Sequence, residues 1–99
     1  MAIATKHPYV VNVADVCGGE PVIKGTRIPV RIIAECWRSG MSPEEIRDAY
    51  PHLELAHIFD ALSYSEDHAD EIDRLIREER SAYRTGRDAE TKRRRPTKA

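Results

Sequence analysis

The sequence predicts an α+β domain, mostly α: an N-terminal β-hairpin with a neighbouring strand, followed by a helix-turn-helix-like bundle of three to four helices. Three observations lead there. β-Branched residues crowd positions 9–30, broken by Gly18-Gly19 and Gly25-Thr26. From Val30 onward, apolar residues recur at three- and four-residue spacing. Helix start and stop signals at Gly40, Ser42-Pro43 and Pro51 divide that run into separate helices.

In chain order, residues 1–8 read as a flexible N-terminus. Tyr9–Val13 has the β-branched content of a strand that pairs with the hairpin. The hairpin strands are Pro21–Lys24 and Arg27–Val30, around Gly25-Thr26. A glycine first in a two-residue loop suits a type II′ turn, since glycine reaches positive φ without steric cost. Pro29 has no backbone donor, so its strand belongs at a sheet edge or bulge.

Val30, Ile33, Ala34 and Trp37 then share one face of a first helix, widened by Ile32 and Cys36, so that helix should be largely enclosed. Gly40 stops it as a left-handed cap. The next helix starts most clearly: Ser42 at the N-cap, Pro43 at the first helical position, Glu45 completing a capping box, and Met41 with Ile46 as a hydrophobic staple. Pro51 ends it. Leu55, Ile58, Phe59 and Leu62 give a third helix its inward face. Ser63 and Glu66 offer a second capping box, which predicts a break or a bend near Tyr64. A fourth segment runs from about Glu66 to Tyr83, with Asp70/Arg74 and Asp73/Arg77 as favourable pairs.

Ninety-nine residues form one domain, and the net charge of −1 hides a division. Residues 84–99 carry Arg84, Arg87, Lys92, Arg93, Arg94, Arg95 and Lys98 against Asp88 and Glu90, a net +5 that leaves −6 on residues 1–83. That end holds no large apolar residue and is expected to be disordered when free. The organisation is therefore 1–8 flexible, 9–83 folded, 84–99 basic tail. With no signal peptide and no membrane-length apolar run, the chain reads as cytoplasmic, with no membrane partner. Cys17 and Cys36 have no metal or redox spacing and read as small buried hydrophobes.

No nucleophile elbow, phosphate loop or H-E-x-x-H motif is present, so no enzyme, catalytic residue, metal or cofactor is expected. His7, His52, His57 and His68 lack metal-ligand spacing and read as surface histidines. The carboxylates Glu66, Asp67, Asp70, Glu71 and Asp73, interleaved with arginines, read as a solvated face.

The run G-E-P-V-I-K-G-T-R-I-P-V, followed by a short helix, Ser42-Pro43-Glu44-Glu45, Tyr50-Pro51 and Ala61-Leu62-Ser63-Tyr64, resembles a family of small prokaryotic proteins catalogued as a domain of unknown function. They are similar to winged helix-turn-helix antitoxins, often encoded beside a toxin with a PIN-like ribonuclease fold. The resemblance covers roughly residues 8–80 and does not define the tail. It implies a type II antitoxin that binds and inhibits a PIN-like toxin and also represses its own operon. The alternative is a stand-alone DNA-binding regulator.

Residues 54–63 fall in the recognition-helix position, but Glu54 and Asp60 repel phosphates, so a packing role and a DNA-reading role both stand. The candidate DNA contacts are Lys24, Arg27 and Arg31, with His57 on the helix and Arg38 and Arg47 behind; Arg27 reads equally as a solvated strand charge or an ion-pair member. For the tail, the readings are a solubilising end, nucleic-acid binding, or docking on an acidic protein site. The resemblance favours docking: Arg87, Arg93, Arg94 and Arg95 would pair with metal-binding carboxylates of the toxin. The small core, marginal hairpin and projecting last helix predict a homodimer.

Overall fold

The computed structural model describes residues 2–94, and within it the side chains of Ile3 and Thr5–Ser81. Three strands, β1 (Ala2–Ala4), β2 (Val10–Val13) and β3 (Pro21–Ile23), precede four helices, α1 (Val30–Arg38), α2 (Pro43–Ala49), α3 (Leu55–Asp67) and α4 (Ala69–Arg94). The fold is α+β and mostly α.

The sheet is antiparallel in the order β1-β2-β3. Val10 pairs with Ile23 and Val11 with Val22, the pairing expected of Tyr9–Val13 and the hairpin. β1 replaces the flexible start: Ala2 faces Val13 and Ile3 faces Asn12. Three residues with two alanines carry little strand signal of their own; the free edge of β2 supplies the backbone partners.

The hairpin is shorter than its sequence suggests. Its second strand reduces to the bridge Val22↔Pro29 and the bond from Ile23 N–H to Ile28 O, 2.9 Å. Pro29 already caps α1, so Val30 leaves the sheet for the helix. The turn closes from Thr26 N–H to Ile23 O, 3.0 Å, with Gly25 third of four at φ +79°. Positive φ at that place is the type II pattern, not type II′.

α1 ends as predicted. Gly40 at φ +102° lets Met41 N–H reach Cys36 O (3.1 Å) and Gly40 N–H reach Trp37 O (3.0 Å), a Schellman motif. α2 begins with the predicted box: Glu45 N–H donates to Ser42 Oγ (3.1 Å) and Ser42 N–H to Glu45 Oε1 (2.7 Å). Ser42→Ala is expected to cost about 1 kcal/mol, a melting temperature lower by about 4–8 °C in circular dichroism.

α3 does not break at Tyr64. It continues to Asp67 and ends at His68, where φ −126° and ψ 45° leave the helical region. Tyr64 and Ser65 are buried, and Ser65 Oγ donates to Leu62 O (2.9 Å), so the chain there stays in the helical ladder. α4 then runs to Arg94, into the segment read from sequence as the basic tail. Helix formers and an i,i+4 pair in the favourable order, Glu90/Arg94, favour a helix there, which an argument from apolar content overlooks. Residues 95–99 lie outside the described part.

The core gathers Val10 and Ile23 from the sheet, Val30, Ile33 and Ala34 from α1, Ile46, Leu53, Ile58, Ala61 and Tyr64, and Ile72 and Ile76 from α4. The two large aromatics expected there are missing. Trp37 is 48% and Phe59 53% exposed. Burial on α3 follows Ile58, Ala61, Tyr64 and Ser65, which turns Phe59 outward; α1 is enclosed at Val30, Ile33 and Ala34 but open at its last turn. Cys17 and Cys36 are half-buried free thiols, not fully enclosed ones.

Candidate interaction surfaces

One partly buried polar cluster fixes residues 5–10. Thr5 Oγ1 lies 2.8 Å from Val10 O and 2.9 Å from His7 O, and His7 N–H donates back to it at 3.0 Å, so residues 5–10 form a tight loop. The loop presents His7, 8% exposed, to α3. Its Nδ1 stands 3.3 Å from Asp60 Oδ1 and its Nε2 3.0 Å from Asp67 Oδ2. A neutral imidazole has one N–H and satisfies one of these carboxylates; the protonated ring satisfies both. Tyr9 N–H donates to Asp60 Oδ2 at 2.7 Å, completing the clasp.

Beside it lies an open cleft of about 710 Å³, lined by Thr5, Lys6, Tyr64, Asp67 and His68. The Tyr64 and His68 rings stack at 4.2 Å, and Tyr64 Oη donates to Glu71 Oε1 at 3.0 Å. Burial, then the hydrogen bond to Glu71 and its charge, push the Tyr64 phenol up to about 12. The free chain releases that proton near pH 10. Between about pH 10 and 12 the unfolded state therefore binds fewer protons than the native state, and stability falls as pH rises; below pH 10 the contribution is complete. Tyr50 is also raised, by burial and Cys36. The difference between the parent chain and Tyr64→Phe in alkaline denaturation should isolate Tyr64, the variant showing a flatter decline.

The second surface is apolar. Trp37, Pro43, Phe59 and Leu62 line a groove of about 390 Å³ that passes Ser63 and ends at Glu66. Glu66 also borders a neighbouring depression with Asp67, His68, Asp70 and Glu71, so the groove opens onto a carboxylate-rich junction between α3 and α4.

Of the basic residues singled out from sequence, Lys24 and Arg27 stand exposed on the one turn. Arg31 is not with them. Its Nε donates to both Glu20 oxygens at 3.0 and 3.1 Å, and its guanidinium reaches Glu79 at 3.6 Å. Arg38 pairs with Asp73 at 2.7 Å and Arg80 with Glu35 at 3.2 Å, so α1 and α4 are laced by charge. His57 caps α3: its Nδ1 accepts from Glu54 N–H at 3.0 Å, and its ring lies 4.7 Å from that of Tyr9. Tyr9 O in turn accepts from Lys24 N–H at 2.8 Å, which puts His57 and Lys24 on either flank of Tyr9. Arg87, Arg93 and Arg94 are carried on α4 with side chains outside the described set, and Arg95 lies outside it altogether.

His7 was missed by sequence, read as a surface histidine; no periodicity reports a contact across 53 residues. Among the described residues, no group of three or more His, Cys, Asp or Glu is placed to hold a metal ion, and no helix is long and apolar enough to cross a membrane.

Residues 10–65 match a family model described as protein of unknown function (DUF433). The chain belongs to the DUF433 family. An uncharacterized protein, y4eO, of Sinorhizobium fredii (strain NBRC 101917 / NGR234) is 36% identical over 64 residues, covering 65% of this chain. The chain spans only 29% of that relative's length. The crystal structure of a DUF433 member from Anabaena variabilis ATCC 29413 is 32% identical, with a TM-score of 0.65 over 69% of this chain and 67% of that one. The DUF433 match takes in the hairpin, α1, α2 and most of α3, and stops before Asp67 and α4.

Proposed function

We propose that this chain is the antitoxin of a type II toxin–antitoxin pair, acting in the cytoplasm to bind and inhibit a PIN-like ribonuclease. The resemblance of the hairpin and helix motifs to antitoxin-like proteins motivates this reading. The observation that carries it is the build of α4. Anchored by Ile72 and Ile76, it extends to Arg94 and bears most of the basic end of an otherwise acidic chain. A helical arm rich in arginine suits a partner whose active centre is a set of carboxylates, because a guanidinium pairs with them through two parallel bonds. Co-expression with the product of the neighbouring reading frame tests it. The two proteins should co-purify, and the purified chain should suppress the neighbour's ribonuclease activity; an active ribonuclease that ignores the chain overturns it.

The exposed Lys24 and Arg27, which flank the Gly25-Thr26 turn, favour DNA contact as a second reading, either as repression of the same operon or as a regulator acting alone. Arg31 drops out of that set because Glu20 engages it. Lys24→Ala with Arg27→Ala is expected to weaken operator binding in gel shifts. The log–log salt dependence should fall by up to about one unit per lost phosphate contact. If His57→Ala abolishes binding while this double change does not, the helix rather than the turn meets DNA.

A further inference from the structure

We infer that two copies of this chain pair by exchanging α4: the Tyr83–Arg87 turn of each docks in the Trp37–Phe59 groove of the other. The inference is independent of the antitoxin reading. The groove leaves two large aromatic side chains half in water, and it ends at Glu66 beside Asp70. Its occupant should therefore carry an apolar anchor followed by positive charge.

The chain's own sequence contains such a segment. Tyr83 is the last large apolar residue, and Arg87 follows one helical turn later on the same face. The balance along α4 is complementary as well. Residues 69–79 carry Asp70, Glu71, Asp73, Glu78 and Glu79 against Arg74 and Arg77; residues 84–94 reverse this, with five basic residues against Asp88 and Glu90.

Geometry excludes the same molecule as donor. α4 starts next to the groove and runs away from it without a break, so Tyr83 lies about 21 Å along the helix from Ala69. Only another copy can bring its Tyr83 back. In an antiparallel pair the partner's Tyr83 comes level with the acidic start of this α4, and the two contacts form together, as a two-fold axis requires. Packing the grooves directly against each other would instead set Glu66 against its own symmetry mate. The helical arm past Tyr83, marginal in isolation, also gains a neighbour.

Sedimentation of the full chain tests this. The parent chain is expected at twice its 11.3 kDa mass at about 100 µM. Phe59→Asp, Glu66→Arg and Arg87→Glu should each weaken the dimer about tenfold or more, with unchanged helix content. Mixing the Glu66→Arg and Arg87→Glu chains should restore it, because in the mixed pair both contacts again join opposite charges. A monomeric parent chain, a dimer indifferent to all three substitutions, or a mixture that stays monomeric would each overturn the exchange.

Discussion

Ile58→Ala is expected to cost about 2–5 kcal/mol, while Phe59→Ala, one position along, should change the stability of the single chain by less than about 1 kcal/mol in denaturant titration of dilute, monomeric protein. Ile58 is 0% exposed and sits in the cluster where the sheet, α1 and α2 meet α3. Removing its outer carbons forfeits their transfer energy and leaves a cavity that four converging elements cannot all close. Phe59 is already half in water, so its removal loses little. Against a typical stability of about 5–15 kcal/mol, the first change threatens folding and the second does not. Equal costs at both positions would mean that α3 is rotated about its axis.

The same pair of residues shows how much of this fold was legible in the sequence. Leu55, Ile58, Phe59 and Leu62 make a good helical stripe, and the stripe does mark a helix. With apolar residues at adjacent positions, however, the pattern fits more than one rotation, and only packing against α1 and the sheet selects the line through Ile58, Ala61 and Ser65. Local devices were readable because their atoms are neighbours in the chain. The Ser42–Glu45 box and the Gly40 cap each close within a few residues. The ion pair of Arg31 with Glu20 and the burial of His7 were not, since each depends on a partner brought near by the whole fold. Among the candidate site residues, that split decides the outcome. Lys24 and Arg27 kept their exposed turn, whereas Arg31 and His57 were found occupied with structural work.

Deleting residues 92–99 should leave the melting temperature within about 2 °C and still reduce inhibition of the toxin about tenfold or more. The deletion removes Lys92, Arg93, Arg94, Arg95 and Lys98, and no carboxylate or large apolar group with them. The core residues on α4, Ile72 and Ile76, lie far up the helix, and Tyr83 and Arg87 remain for self-association. Salt should separate charge from shape. Inhibition by the full chain is expected to weaken as ionic strength rises, while the shortened chain should respond little, so the gap between them is widest at low salt. Undiminished inhibition by the shortened chain would move the inhibitory contact to the folded body.

The clasp around His7 bears on how the molecule is made. Its two bonds join residues 53 and 60 positions apart, so during translation the loop of residues 5–9 emerges long before either carboxylate that will receive it. At about 5–20 residues per second, β1 and β2 wait several seconds on the ribosome with their histidine unclaimed. For this loop the order of synthesis runs opposite to the order of closure: residues 5–9 are made before α3 and are clasped only after it. Such long-range closure slows folding relative to the local helices, which are free to form as they emerge. The loop between β1 and β2 therefore stays unclasped until α3 is complete.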